Sequence, residues 1–224
     1  HLMPNNGAGE IGFFRSNAGK AFASDSALTA LMAQLNIINM LNTKYFIIPG
    51  GGEQRTEIPL ENKQANGAAW FVKNLKFVNS ADSEIVALGK INTKSTAVLN
   101  EKFKSELGLK NNYNADGSIT LTAYEPNQLT YECNSVSDNF IVFSEIYYPK
   151  GWNCYVNGNL TPHAQVDYVL RGLPIKSGKS TVIFKFEPNT YYKGNTFALI
   201  GSILLIAIVG FSLYKHKKND VIVS

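Results

Sequence analysis

The sequence predicts a mainly β fold: an antiparallel β-sandwich or jelly-roll-like domain, a small N-terminal α+β part before it, and one C-terminal transmembrane helix after it. Three observations carry that expectation. Between about residue 117 and residue 188, apolar and polar side chains alternate in short runs broken by turn residues, with no long helical period between them. Aromatic residues make up 12% of the chain, with 11 Tyr and 13 Phe, a composition that favours strands. Gly194 to Tyr214 is a run of 21 residues without a charge, long enough at about 1.5 Å per residue to cross a hydrocarbon core of roughly 30 Å as a helix.

Residues 1–23 are rich in Gly, Asn and Ala without a period and read as a loop or a truncated start. The α+β part is expected over 24–116. Asp25 or Ser26 can cap a helix carrying Leu28, Leu31, Met32 and Leu35, and Ile37 to Leu41 adds an apolar turn. Lys44 to Ile48 reads as a short buried strand ended by Pro49, and Gly50 to Gly67 as a loop. Ala69 to Val78 predicts a strand or strand pair, Ser80 to Leu88 a helical turn with Asp82 and Glu84 in its first half, Thr96 to Leu99 a strand, and Lys102 to Leu109 a helix.

The sandwich part is expected over 117–190. Ile119, Leu121 and Ala123, then Leu129, Tyr131 and Cys133, give a hairpin turning at Glu125-Pro126-Asn127. Phe140 to Phe143 is apolar on both faces and predicts a central strand. Trp152, Cys154 and Val156 share a face and lead into Asn157-Gly158, a strong hairpin signal. Gln165 to Leu173 reads as a further strand, and Thr181 to Glu187 turns Val182, Phe184 and Phe186 inward before Pro188. The membrane helix follows over 194–214 and a cytoplasmic tail over 215–224.

The net charge of +4 is modest and partly concentrated in Lys215-His216-Lys217-Lys218, which excludes a nucleic-acid-binding surface of ordinary strength. Under the positive-inside rule that cluster sits in the cytoplasm, so the preceding residues face the outer side of the membrane. The chain opens on His1-Leu2-Met3 without a signal peptide, so a domain so placed is expected to be the tail of a longer membrane protein. Cys133 and Cys154, the only cysteines, can pair in an oxidising compartment or remain small buried thiols.

Catalytic patterns are sparse. His1, His163 and His216 fall at a terminus, a turn and a membrane flank, which gives no metal cluster, and no cofactor motif is present. His163, Asp167 and Ser144 lack a nucleophile elbow, no carboxylate pair is assignable to glycoside chemistry although Glu145 is the nearest candidate, and Gly50-Gly51-Gly52 lacks the Lys-Ser/Thr of a phosphate loop. Asn159-Leu160-Thr161 matches a glycosylation sequon. The stretch Ser144 to Trp152 is the informative one. Its Tyr147, Tyr148 and Trp152 surround a Pro-Lys-Gly turn, where they can stack on a sugar, rest among lipid headgroups, or cap a sandwich end. Asp167, Tyr168 and Arg171 on the next strand can contact an anionic or sugar ligand, or serve a strand-edge ion pair.

A series of blocks in order, Asn39 to Ile48, Ala69 to Val72, Tyr124 to Asn127 with Leu129 to Tyr131, Phe143 to Trp152, Tyr168 to Gly172 and Phe184 to Pro188, resembles the C-terminal part of the bacterial YfhO-like membrane proteins. The likeness runs over roughly 36–214. It implies a polytopic parent in the bacterial cytoplasmic membrane, similar to glycosyltransferases of the GT-C class, with this domain on the extracytoplasmic or periplasmic side. Implied partners are the membrane, a polyprenyl-phosphate-linked sugar and a cell-envelope glycan or polymer acceptor. The catalytic acid of that class lies in an early loop that this chain does not contain, so the resemblance supplies no catalytic residue. A membrane-anchored carbohydrate-binding or assembly module without activity is the alternative.

Overall fold

A computed structural model describes residues 7–22, 24–49 and 57–222. In chain order the elements are α1 (Gly7–Ala21), α2 (Asp25–Met32), α3 (Asn36–Met40), β1 (Tyr45–Pro49), β2 (Glu57–Glu61), β3 (Ala69–Phe71), β4 (Asn74–Val78), α4 (Ala81–Leu88), β5 (Thr96–Asn100) and α5 (Lys102–Glu106). Then come β6 (Gly117–Glu125), β7 (Gln128–Ser135), β8 (Asn139–Ile146), β9 (Trp152–Val156), β10 (Asn159–Leu160), β11 (Ala164–Val166), β12 (Leu170–Ile175), β13 (Gly178–Phe186) and α6 (Asn189–Ile222). The fold is mainly β with antiparallel sheets, as expected.

A six-stranded sheet of order β3-β8-β12-β11-β5-β4 forms the middle layer. A five-stranded sheet of order β10-β9-β13-β7-β6 packs on one face. Between the sheets lie Leu129, Tyr131, Ile141, Phe143, Cys154, Leu173, Val182 and Phe184, and the rings of Tyr131, Phe143 and Phe184 meet edge to face. On the other face α4 and α5 supply Leu88 and Phe103 to a second core with Trp70, Val98, Leu99, Phe140 and Val142. Burial on both faces explains why Phe140 to Phe143 is an unbroken apolar run: β8 is flanked by β3 and β12 and covered above and below.

The expected division at residue 117 does not hold in the sheet. β3, β4 and β5 come from the earlier segment yet share the middle layer with β8, β11 and β12. β4 and β5 are a parallel pair joined through α4, and Ala69 to Val78 splits into strands at opposite edges of that sheet.

Several local expectations change as well. Gly7–Ala21 is a helix, where a loop was expected. It buries Phe14 and Ala18 against Leu31, Met32, Leu35 and Ile38, and its Glu10 carboxylate accepts the Ile37 and Ile38 amides at 3.0 Å. Tertiary contact, which no period in the sequence reports, makes that segment helical. Ser24 caps α2 by accepting the Ala27 amide at 3.2 Å, in place of Asp25 or Ser26. β2 pairs with β1 inside the stretch expected to be loop, Tyr45 and Ile47 are exposed, and the Gly50 to Gly52 run lies outside the described residues. Gln165 to Leu173 is a hairpin, broken where Asp167 and Tyr168 take φ values of 49° and 69°.

Cys133 and Cys154 are buried free thiols. β13 runs between their strands, with Ser180 opposite Cys133 and Phe184 opposite Cys154. That offset of four residues along β13 is about 13 Å, beyond disulfide reach.

Helix α6 leaves the sandwich two residues after β13 and extends further on both sides than the expected 194–214. Its Asn189–Ser212 stretch contains an 18-residue window of mean hydropathy 2.0, none of which is buried by the rest of the described residues. A soluble core helix would be covered, so this one is built for a lipid surrounding.

Candidate functional site

The clearest concavity flanked by functional side chains opens at the end of the sandwich from which α6 departs. Its volume is about 350 Å³ and its walls are Tyr147, Pro149, Trp152, Asn153, Cys154, Leu160, Thr161, Pro162 and His163. Three segments converge to make it. The turn after β8 brings Tyr147 and Pro149, β9 brings Trp152 to Cys154, and the chain following β10 brings Leu160 to His163.

Each segment has a local cause. Asn157 and Gly158 both adopt positive φ, 50° and 82°, which is the two-residue hairpin geometry the pair favours, so β10 folds back along β9. The Thr161 amide then donates to the Cys154 carbonyl at 2.8 Å, which lays the Leu160 to His163 segment beside β9. The Tyr147 amide donates to the Val169 carbonyl at 2.7 Å, and its ring meets His163 edge to face at 5.3 Å.

Beneath Trp152 lies the Arg171 guanidinium, 4.5 Å from that ring and 4.9 Å from Phe184, and the residue is only 1% exposed. Its Nε donates to the Ile146 carbonyl at 3.0 Å while Nη1 has no partner among the described residues. This buried cation packs against two aromatic rings behind the Trp152 wall of the pocket, with the Glu145 carboxylate the charge that acts on it most. Burial, reinforced by that cation, pushes His163 down to about 4, so the imidazole is neutral at physiological pH, and its Nε2 is also unpartnered. Burial pushes the Cys154 thiol up to about 12, which makes it a packing group and not a nucleophile.

Glu187 ties this end together. Its carboxylate accepts Asn153 Nδ2 at 2.9 Å and the Tyr155 hydroxyl at 2.8 Å, and its amide donates to the Gly151 carbonyl at 2.7 Å. The two side-chain bonds, from Asn153 first and then Tyr155, hold the carboxylate below its ordinary range. Only Pro188 separates this latch from α6.

Of the residues singled out by sequence, Tyr147 and Trp152 line the pocket and Arg171 supports it from below. Tyr148 points elsewhere, 49% exposed on the same turn. Asp167 is not part of the pocket: it is fully buried on the other side of the middle sheet, where Oδ1 accepts the Val98 amide at 2.8 Å and Oδ2 has no partner. Burial, with Glu84 nearby, pushes it up to about 8, and burial takes Glu84 to about 7. Asp167 and Arg171 therefore form no strand-edge ion pair, because the turn at 167–169 sends their side chains to different layers. Sequence reading did not connect Asn153, Thr161 and Glu187 with this site, since their convergence depends on strand order. The Asn157-Gly158 turn was the one available signal that the following segment folds back on β9.

Among the described residues no group of three His, Cys, Asp or Glu side chains could hold a metal ion. A smaller cleft of about 170 Å³ lies at the opposite end, between Tyr113, Asp138 and Lys176.

Residues 89–197 match the family model described as bacterial membrane protein YfhO. That region begins after α4 and ends in the first turns of α6, so it contains every wall of the pocket. No curated protein and no solved structure matches the chain.

Proposed function

We propose that this YfhO-like chain is the extracytoplasmic C-terminal region of a polytopic membrane protein that transfers sugars from polyprenyl-phosphate carriers to a cell-envelope polymer. In this reading the pocket between Tyr147, Trp152 and His163 seats a sugar ring, and the bond-making residues belong to the remainder of the parent protein. The observation that carries it is the pocket's composition and place. Aromatic walls suit the apolar face of a pyranose, Asn153, Thr161 and neutral His163 offer polar edges, and the Arg171 charge beneath favours a phosphate-bearing ligand. The site also lies within a few residues of the start of the apolar helix α6, which supports a ligand delivered from a membrane.

Titrating the detergent-solubilised chain with a polyprenyl-phosphate hexose by isothermal titration calorimetry tests the reading. Saturable binding that Trp152→Ala weakens at least tenfold supports it; equal binding by the variant overturns this site. A carbohydrate-binding or assembly module without transfer is favoured if free envelope glycan binds equally well and the polyprenyl carrier adds nothing. Transfer assays on the parent protein with Trp152→Ala then separate the two, since only the transferase reading expects product formation to fall.

A further inference from the structure

The two ends of the sandwich differ in chemistry. At the end away from α6, the Asp138 carboxylate pairs with Lys176 at 2.8 Å and Asp116 bonds Ser137 and Asn139, with Lys110 and Lys179 nearby in sequence to those turns. At the end next to α6, Ile146 and Tyr148, 58% and 49% exposed, flank the pocket as its rim together with exposed Pro149 and Lys150, and Leu160, a pocket wall 67% exposed, stands on the edge strand opposite Tyr155, three residues along β13 from that end. Three large side chains, at the end of β8, on the turn after it and on the edge strand β10, are left uncovered by the rest of the described residues.

This rim is fixed close to the membrane anchor. Phe186 is paired with Trp152, the Glu187 amide is bonded to the Gly151 carbonyl at 2.7 Å, and α6 begins at Asn189. Tyr148 lies three residues before Gly151 and Asn189 two residues after Glu187, so with the bond between them Tyr148 stays within about 20 Å of the helix start whatever direction the helix takes. The uncharged run begins at Gly194, five helical residues or about 7 Å beyond Asn189, which places the first turn of α6 in the headgroup layer with Tyr191 exposed on it. Tyrosine and lysine at that depth are the residues an interface accommodates best.

We propose that the Ile146, Tyr148, Lys150 and Leu160 rim is a lipid-docking surface that rests on the headgroup layer beside α6, so that the pocket opens onto the bilayer surface and not into bulk water. The surface is continuous with the membrane helix, which names its occupant as lipid. The proposal is independent of which ligand the pocket takes.

Its test uses the full 224-residue chain in nanodiscs of phosphatidylcholine with phosphatidylglycerol. An environment-sensitive fluorophore is attached at Tyr148→Cys or at Leu160→Cys, with Val136→Cys, 72% exposed at the far end, as reference. Cys133 and Cys154 are buried and stay unlabelled. Lipids carrying a headgroup spin label are expected to quench positions 148 and 160 at least threefold more than 136, and iodide in solution to quench them correspondingly less. Equal quenching at all three positions overturns the proposal. So does protection at 148 and 160 from both quenchers, which would mean that protein covers the rim. Should the cysteine variants misfold, the chain with Trp70→Phe reports through Trp152 alone, and brominated lipids must quench it for the proposal to stand.

Discussion

Arg171 shows how a single side chain can organise one end of a domain. Its guanidinium is planar and held between the Trp152 and Phe184 rings, with a single hydrogen bond to the Ile146 carbonyl. Lysine keeps the charge but neither stacks nor reaches that carbonyl with the same geometry. Arg171→Lys is therefore expected to lower unfolding free energy by about 2 kcal/mol in urea titration, while a variant at exposed Lys179 leaves it unchanged. Asp167 gives a prediction in pH. Its folded value, about 8, lies above that of an unfolded carboxyl, so the folded state holds a proton that the unfolded state has released. Its contribution is complete below about pH 4 and is lost as pH rises toward 8, with a limiting slope of about 1.4 kcal/mol per unit. Glu84 acts in the same direction up to about 7. His163, lowered to about 4, acts oppositely between 4 and its ordinary value. Asp167→Asn retains the acceptor for the Val98 amide and should flatten the loss of thermal stability between pH 6 and 8; an unchanged pH profile would refute this account. None of this was legible in the sequence, where Asp167 and Arg171 sit four apart in what reads as one strand. Two positive φ angles between them decide that one faces the helices and the other the sandwich interior.

At the scale of elements, the sequence was most informative where a strand had one or two buried faces. The alternation of Leu129, Tyr131 and Cys133, the continuous run Phe140 to Phe143 and the turn at Asn157-Gly158 each correspond to an observed strand or hairpin. It was least informative for α1, whose composition gives no amphipathic stripe and whose helicity depends on Glu10 and on contacts with α2 and α3. The division at residue 117 failed for a related reason: strand partners separated by many residues leave no local trace. The middle sheet makes its own prediction at Gly172. A Cβ there would lie 2.4 Å from Val166 Cγ1 and 2.6 Å from Phe140 Cζ, both in fully buried side chains. Gly172→Ala is expected to cost about 2 kcal/mol by forcing those neighbours apart, measurable as a lower urea midpoint with an unchanged slope.

For the whole molecule, α6 contributes no buried apolar surface to the sandwich, so folding of the β layers and insertion of the helix are separate events. The 224-residue chain should sediment with membranes, and a version ending at Pro188 should remain in the supernatant at the same thermal midpoint within a few degrees. Sidedness is tested by a membrane-impermeant maleimide on intact cells. If the domain lies outside, the Val136→Cys variant is labelled and a cysteine placed after Lys218 is not; the reverse pattern overturns the extracytoplasmic placement.

The Glu187 latch carries one more consequence. The carboxylate and amide of this residue grip β9 and the Pro-Lys-Gly turn, and one proline later α6 begins. Within its 34 residues the uncharged run of 21 residues is about 31 Å long and matches an ordinary hydrocarbon core, so a thinner bilayer is what makes the helix lean. With so short a coupling, leaning of the shaft becomes rolling of the head. A thinner membrane would roll the sandwich about its latch and change how much of the pocket mouth meets water, making membrane thickness itself a control on the domain's attitude.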